Sequence, residues 1–114
     1  MSRLFRCLLA LGAAAVLVVV AACGGSSGGS KVTLNVSVSG SQMTPSQLSA
    51  HLNDEVTLTF TADKAEEIHL HGYDYKFAMK PGEKQTKTFK ADKSGHFQIE
   101  IEDTSTALGF FDVV

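Results

Sequence analysis

Apolar and polar residues alternate one by one along most of the chain after residue 30, and this period of two constrains the fold more than any other feature. Two segments show the alternation without interruption. Their apolar members are Val32, Leu34, Val36 and Val38 in one segment, and Val56, Leu58 and Phe60 in the other. Successive side chains of a strand point to opposite faces, so each segment predicts a strand with one face in a core.

Shorter alternating segments predict the remaining strands. They are 48–52, 68–71, 75–79, 85–90, 97–101 and 107–114, while 43–46 reads as an irregular turn. The segment 85–90 is polar at most positions, which predicts a sheet edge. No stretch after residue 30 has helical periodicity. Seven or eight short strands bounded by turn residues predict an all-β antiparallel sandwich.

The first 22 residues have the layout of a secretory signal. Arg3 and Arg6 supply positive charge. The segment 8–20 is apolar but too short for a transmembrane helix that remains in the mature protein. The residues Val20-Ala21-Ala22-Cys23 resemble the bacterial lipobox. This resemblance implies cleavage before Cys23 and a diacylglycerol on its thiol. The alternative is an ordinary signal peptide with an incidental cysteine.

Residues 23–30 are the predicted tether between the lipid and a folded domain at residues 31–114. After Cys23 the tether contains only glycine and serine, which cannot build a core. Seven such residues reach on the order of 15 Å root-mean-square. We therefore expect a membrane-anchored lipoprotein of a bacterial cell envelope, with its domain facing the periplasm or the exterior. A second acyl chain, such as palmitate, makes such an anchor durable.

The charge of the mature chain limits its partners. Of the ten basic residues, Arg3 and Arg6 leave with the signal, so eight lysines face twelve acidic residues and the formal net charge of 23–114 is −4. This negative charge argues against nucleic acid as a binding partner. Cys23 is the only cysteine that remains, and its acylation leaves no disulfide. A protein partner in the envelope stays open.

Three motifs occur at strand ends and turns. They are His69-Leu70-His71-Gly72, Pro81-Gly82-Glu83 and Ser94-Gly95-His96-Phe97. The motifs resemble those of cupredoxins, and residues 31–114 are similar to small exported cupredoxin-like proteins of bacteria. The resemblance implies a Greek-key sandwich of seven or eight strands that carries copper at one end.

The resemblance also identifies what this chain lacks. In blue-copper cupredoxins a Cys, a His and a Met come from the end of the penultimate strand and the loop after it. Here Ile101 stands where the cysteine is expected, and the loop 102–108 contains neither His nor Met. Without a thiolate the trigonal His₂Cys site cannot form. We therefore do not expect a blue-copper electron carrier.

The pair His69 and His71 is the candidate metal-ligating feature. Residues two apart on a strand project to the same face, so both imidazoles can bind one ion. The topology that the resemblance implies brings Glu102 or Asp103 beside the pair as an oxygen ligand, with Asp74 as an alternative ligand or an acceptor that orients an imidazole. Two nitrogens with one or two oxygens favour copper as Cu(II), or another divalent metal, over Cu(I).

The same pair also has an explanation without metal, because an alternating strand needs polar residues opposite its apolar ones. The cupredoxin resemblance implies that the other histidines, His51 and His96, lie near the end of the sandwich opposite the copper site. Met43 and Met79 are expected in the core or at a sheet edge. These assignments leave His69 and His71 as the primary candidates.

An enzymatic function has little support in the sequence. The mature chain has no free thiol nucleophile, no strained nucleophile elbow and no phosphate-binding glycine loop. The carboxylate pairs Glu66-Glu67 and Glu102-Asp103 stand at strand ends, where charges are usually solvated. Two functions therefore compete: an envelope lipoprotein that binds a divalent metal, and a metal-free interaction module. A role in iron or copper uptake is a third hypothesis.

Overall fold

The computed structural model describes residues 29–114, which form two packed β-sheets. The predicted signal, Cys23 and most of the tether lie outside the described residues. Among residues 29–114 no helix is long and apolar enough to cross a membrane. The strands are β1 (Lys31–Ser39), β2 (Gln42–Thr44), β3 (Gln47–Ala50), β4 (Glu55–Ala62), β5 (Glu66–Leu70), β6 (Tyr75–Met79), β7 (Lys84–Lys90), β8 (Gly95–Ile101) and β9 (Thr106–Val113).

The two sheets have the strand orders β2-β1-β4-β7 and β3-β9-β8-β5-β6. The all-β sandwich is confirmed, and so is the edge position of the polar strand β7. Two details were wrong. The segment 43–46 was expected to be a turn, but β2 pairs with the end of β1 because Met43 is buried there. The pairs β1/β4 and β3/β9 are parallel, because the chain changes sheet between the members of each pair.

The core lies between the sheets and follows the predicted alternation. Its largest fully buried side chains are Phe60, Phe111, Leu58, Ile68, Leu70, Ile99 and Val56. The rings of Phe60 and Phe77 pack edge to face with centroids 4.8 Å apart, which adds to the apolar area that they bury. Met43 and Met79 are buried in the same core. Both methionines are therefore packing residues, as expected.

Tyr73 closes one end of this core. Its side chain is buried against Phe97 and Phe89, at centroid distances of 5.0 and 5.3 Å. The hydroxyl donates to the carbonyl of Lys93 (2.7 Å) and accepts from its N–H (2.9 Å). A buried tyrosine with its hydroxyl satisfied in this way fixes the loop before β8.

Asp54 fixes the start of the domain. This carboxylate is buried in the turn before β4 and accepts the N–H groups of Ser30 and His51, each at 2.8 Å. The hydrogen bond from His51 and then that from Ser30 lower the pKa of Asp54 below its usual value. The N–H of Glu55 donates in turn to the carbonyl of Ser30 (2.8 Å). These contacts fix the described chain to the domain at Ser30, and a protein from residue 24 to 114 retains all of them.

Candidate metal centre

The phase of strand β5 sets the positions of the candidate ligands. The strand lies between β6 and β8, and its buried residues are Glu66, Ile68 and Leu70. His69 therefore points to the outer face of the five-stranded sheet. His71 follows the strand by one residue, and its N–H donates to the carbonyl of Gln98 (2.9 Å), which keeps it beside β8. The two imidazoles share this outer face.

The two rings lie close together. Their centroids are 4.3 Å apart and their planes are inclined by 45°. The side chain of His69 is 12% exposed and that of His71 is 42% exposed. The pair is therefore partly buried, and His71 is the more exposed of the two.

Three carboxylates surround the pair, and we call these five residues the histidine face: His69, His71, Asp74, Glu100 and Glu102. Glu100 lies opposite His69 in the pairing of β5 with β8, and its Oε2 is 3.0 Å from His71 Nε2. Glu102 Oε1 is 2.9 Å from His69 Nδ1, and Asp74 Oδ1 is 3.5 Å from His69 Nε2. Each imidazole thus has a carboxylate as its neighbour.

The short contacts of the histidine face do not have the geometry of hydrogen bonds. His69 Nδ1, His71 Nε2 and Glu102 Oε1 are covered from solvent, yet none has a hydrogen-bond partner among the described residues. One ligand atom each from His69, His71 and Glu100 lie within 4.8 Å of one another. Nitrogen and oxygen ligands stand about 2.0–2.2 Å from zinc, so closing around one such ion requires side-chain movements of about 1 Å. Nitrogens and oxygens that converge without bonding one another suit a bound cation.

The predicted oxygen ligands differ in position. Glu102 contacts His69, as the expected return of the loop implies. Asp103 instead lines a cleft at the end of the sandwich, beside Ile101 and Thr104. Sequence reasoning missed Glu100 as a ligand, although its alternation with Ile99 and Ile101 predicts an outward side chain. The pairing of β8 with β5, which the sequence does not show, is what brings it to the histidines.

The other two histidines make no contact with His69 or His71, but His96 is not at the opposite end of the strands as expected: it lies two residues before Gln98, the neighbour of His71. His51 follows β3, and its side chain is 80% exposed. His96 is the second residue of β8 and hydrogen-bonds through Nδ1 to Asp112. Its ring stacks on Phe110 with centroids 4.0 Å apart. Neither histidine belongs to the histidine face.

The cleft at the end of the sandwich, which we call the end cleft, has a volume of about 410 Å³. It lies where the β1–β2 turn, the β4–β5 loop and the β8–β9 turn meet. Its lining residues are Gly40, Ser41, Lys64, Ala65, Glu66, Ile101, Asp103, Thr104 and Thr106. Glu66 was expected to be solvated, but it is only 8% exposed because it is in phase with the buried residues of β5. The imidazoles do not line this cleft. They lie on the outer face of the sheet, whereas Ile101, which stands where the resemblance places a cysteine, is buried and lines the cleft.

Comparison with known proteins identifies the fold. No protein-family model matches the chain, and no curated protein matches it. A chain of a heme–copper terminal oxidase dimer is similar over 99% of this chain and 97% of its own length, with 17% identity and a TM-score of 0.65. A copper binding protein in the apo form is similar over 72% of this chain and 86% of its own, with 15% identity and a TM-score of 0.61.

A purple cupredoxin from Nitrosopumilus maritimus is also similar, over 71% of this chain and 99% of its own length. The identity is 12% and the TM-score is 0.57. At such identities the similarity concerns the path of the backbone and not the residues of a site. The nine described strands in two sheets agree with that path. Residues 29–114 therefore have the cupredoxin-like fold.

Proposed function

We propose that this protein is a membrane-anchored, cupredoxin-like lipoprotein that binds Cu(II), or a similar divalent ion, on its histidine face. The observation that carries the proposal is the convergence of His69, His71 and Glu100 within 4.8 Å. The ligands are two imidazole nitrogens and one carboxylate oxygen. The protein would store the ion or pass it on, and we propose no enzymatic activity.

The donor set favours copper in its divalent state. Imidazole and carboxylate ligands suit Cu(II), whereas Cu(I) prefers thiolate and thioether sulfur. The described residues contain no cysteine, and Met43 and Met79 are buried between the sheets. Cu(II) also binds more tightly than Zn(II) or Ni(II) at an equal site. The similarity to a copper binding protein supports the same choice.

The carboxylates around the pair have distinct roles in the proposed centre. Glu100 is the third ligand, because its side chain is 14% exposed and held in β8 beside His71. Glu102 and Asp74 contact the two ring nitrogens of His69 and orient that imidazole, as outer carboxylates do at metal sites. Since His69 has one nitrogen for the ion, only one of these two carboxylates can keep its contact when an ion is bound. The His71 side chain is 42% exposed but its Nε2 is covered, so an ion enters and leaves when that ring turns.

A copper titration tests the proposal. The protein from residue 24 to 114, which lacks the thiol of Cys23, is titrated with Cu(II) in a calorimeter and followed by electron paramagnetic resonance. We expect one site with a Kd of about 1 μM or tighter, and a hyperfine pattern from two nitrogens. The variant His69→Gln/His71→Gln should lose at least about a hundredfold in affinity, because it loses both nitrogen ligands.

The matched control for this experiment is His51→Gln/His96→Gln, which removes two imidazoles outside the histidine face. It should bind Cu(II) like the unmodified protein. Micromolar binding that survives the loss of His69 and His71, or no binding by the unmodified protein, contradicts the proposal. The second outcome leaves the metal-free interaction module as the better hypothesis.

The lipid anchor is proposed from the sequence alone. Cys23 and the glycine-serine segment after it have the pattern of an acylated cysteine with a flexible spacer. Cells that produce the full chain should incorporate radiolabelled palmitate into the protein and retain it in the membrane fraction. The variant Cys23→Ala should lose both the label and the retention. Palmitate incorporation into the variant would contradict attachment at Cys23.

A further inference from the structure

Glu66 is a buried carboxylate that no contact in the domain explains. Both of its oxygens are covered from solvent, and neither has a hydrogen-bond partner among the described residues. No ion pair found among residues 29–114 includes it. A buried charge without partners is strongly unfavourable, so native proteins normally pair such groups. A proton, an ordered water or a cation that reaches Glu66 from outside would satisfy it.

The end cleft gives such a cation a place to bind. Glu66 is part of its wall, and Asp103 supplies a second carboxylate on the β8–β9 turn. Lys64 is the single cationic residue of the lining, and it is exposed. With one lysine against two carboxylates, the lining has a net negative charge. The electrostatic field of the cleft therefore favours a positively charged ligand.

The shape and lining of the end cleft argue against a metal ion. A hard divalent ion needs six or more oxygen ligands, or a dense set of carboxylates. Among residues 29–114, the group of three potential metal ligands that converges is on the histidine face and not in the cleft. A volume of about 410 Å³ is instead within the range of pockets for small organic molecules. Ile101 and Ala65 offer apolar contact to a carbon chain.

From these observations we infer that the end cleft binds an alkylammonium or guanidinium head group, and that Glu66 turns its covered carboxylate toward the cleft to serve as the counter-ion. Ser41, Thr104 and Thr106 line the cleft, and a hydroxyl can accept the remaining N–H groups of the head group. Thr104 and Thr106 already hydrogen-bond each other through their hydroxyls at 2.7 Å. This site is separate from the histidine face, and the inference does not depend on copper binding.

The protonation behaviour of Glu66 agrees with this inference. Its pKa is raised, chiefly because burial removes water from the charged form, and Asp63 and Asp103 raise it further. Lys64 acts in the opposite direction. A cation in the cleft would offset both the lost hydration and the repulsion from the two aspartates.

A titration with n-butylammonium chloride tests the site. The protein from residue 24 to 114 is followed by amide chemical shifts in nuclear magnetic resonance, with 1-butanol as an uncharged ligand of similar shape. We expect saturable shifts at residues 65, 66, 103 and 106, with a Kd of about 1 mM or tighter for the ammonium ion. Butanol should produce no saturable shift. Equal binding of butanol, or no saturation by the ammonium ion up to about 10 mM, overturns the inference.

The decisive variant is Glu66→Gln, which keeps the shape of the side chain and removes its charge. It should bind the ammonium ion at least about tenfold more weakly and should bind Cu(II) unchanged. The matched control is Glu83→Gln, in the exposed turn before β7, which should bind both the ammonium ion and Cu(II) like the unmodified protein. Undiminished ammonium binding by Glu66→Gln contradicts the inference. Since copper is titrated in parallel, a failure at the end cleft is distinguished from a failure of the proposed metal centre.

The same titration separates two sources of the head group. A free amine should bind as butylammonium does, whereas a lysine side chain of a partner protein is represented by Nα-acetyl-lysine N-methylamide. Tighter binding of the lysine derivative assigns the cleft to a protein partner, and tighter binding of butylammonium assigns it to a free amine. Either order supports the inference, and binding of neither contradicts it.

Discussion

The histidine face and the end cleft share strands β5 and β8, yet their carboxylates have different neighbours. On the outer face of β5 and β8, Glu100 and Glu102 each have an imidazole nitrogen within 3.0 Å. In the end cleft, Glu66 has no partner at all among the described residues. The difference arises from phase, because Glu66 and His69 are three residues apart on a strand and so point to opposite faces. Strand phase alone can therefore decide whether a carboxylate supports a ligand set or becomes a buried charge.

The two regions also differ in what each would gain from a ligand. The histidine face brings nitrogen and oxygen atoms together near solvent, so an ion there would gain ligands that need little rearrangement. Glu66 is already desolvated, so a cation there would remove an existing unfavourable term. We therefore expect changes at the histidine face to alter chiefly ligand affinity. Changes at Glu66 should alter the stability of the protein even without a ligand.

The largest effect is expected from Gly72→Ala, which tests whether the histidine face depends on the turn after it. Gly72 has φ of +86°, and a Cβ there would be 2.2 Å from Cδ1 of Phe97. Alanine would adopt a strained backbone and displace a ring that packs on the core. We expect the free energy of unfolding to fall by about 3 kcal/mol, measured by urea denaturation.

Gly82→Ala is the matched control for this prediction. Gly82 also has positive φ, of +77°, but nothing lies within 4 Å of the position of its Cβ. It should cost only the backbone strain of about 1 kcal/mol. Equal losses for the two variants would show that the contact with Phe97 contributes nothing, and that the turn beside His71 is held by its backbone alone.

The second prediction uses copper as a stabilising ligand of the histidine face. An ion that binds only the native state at about a hundred times its Kd stabilises the protein by about 2.7 kcal/mol. For a domain of this size the melting temperature should rise by more than about 10 °C. Differential scanning calorimetry with Cu(II) should show this rise for the unmodified protein and for Glu66→Gln. A rise that disappears in Glu66→Gln would mean that the two regions are coupled.

The third prediction separates the carboxylates of the histidine face. Glu100→Gln removes the proposed ligand and should weaken Cu(II) binding by at least about tenfold, or about 1.4 kcal/mol. Glu102→Gln removes only a group that orients His69 and should have the smaller effect, because its side chain is the more exposed of the two. Calorimetric titration of both variants measures the difference. The reverse order would make Glu102 the ligand, one of the two oxygen ligands that the family resemblance implied.

The sequence predicted the sandwich well because alternation determines which residues enter the core. The alternation in β5 predicted that His69 and His71 share a face. The same alternation, extended back to Glu66, also indicates that this carboxylate is buried. What the sequence did not contain was the partner of each strand. Glu100 reaches the histidines through the register of β8 with β5, in which His69 lies opposite Glu100. Likewise, Asp103 was wrongly expected beside the histidines. The family topology brings the loop after β8 back to that end of the sheet, but it does not determine which way each side chain of the loop points.

The smallest effect is expected from Glu66→Gln in the absence of ligand, and it concerns the pH dependence of stability. The pKa of Glu66 in the folded protein is raised above its ordinary value of 4.5 by burial, while Lys64 opposes the shift and Asp63 and Asp103 add to it. Below the ordinary value the carboxyl is protonated in both states, so the unmodified protein and the variant should have similar stability. As pH rises above it, the unfolded chain releases the proton more readily than the folded one. The unmodified protein should therefore lose stability relative to the variant, until the folded carboxyl has also ionised.

We expect this difference to reach about 1 kcal/mol, the order of the cost of a buried polar group without a partner. The melting temperatures of both proteins between about pH 4 and about pH 8 measure it, with Glu83→Gln as the exposed control. A difference that stays constant with pH would show that Glu66 keeps its hydration in the folded protein. Adding n-butylammonium at high pH should reduce the difference, because the cation stabilises only the protein that retains the carboxylate. That response would connect the unpaired charge of the end cleft with a ligand, and would complete the contrast with the histidine face.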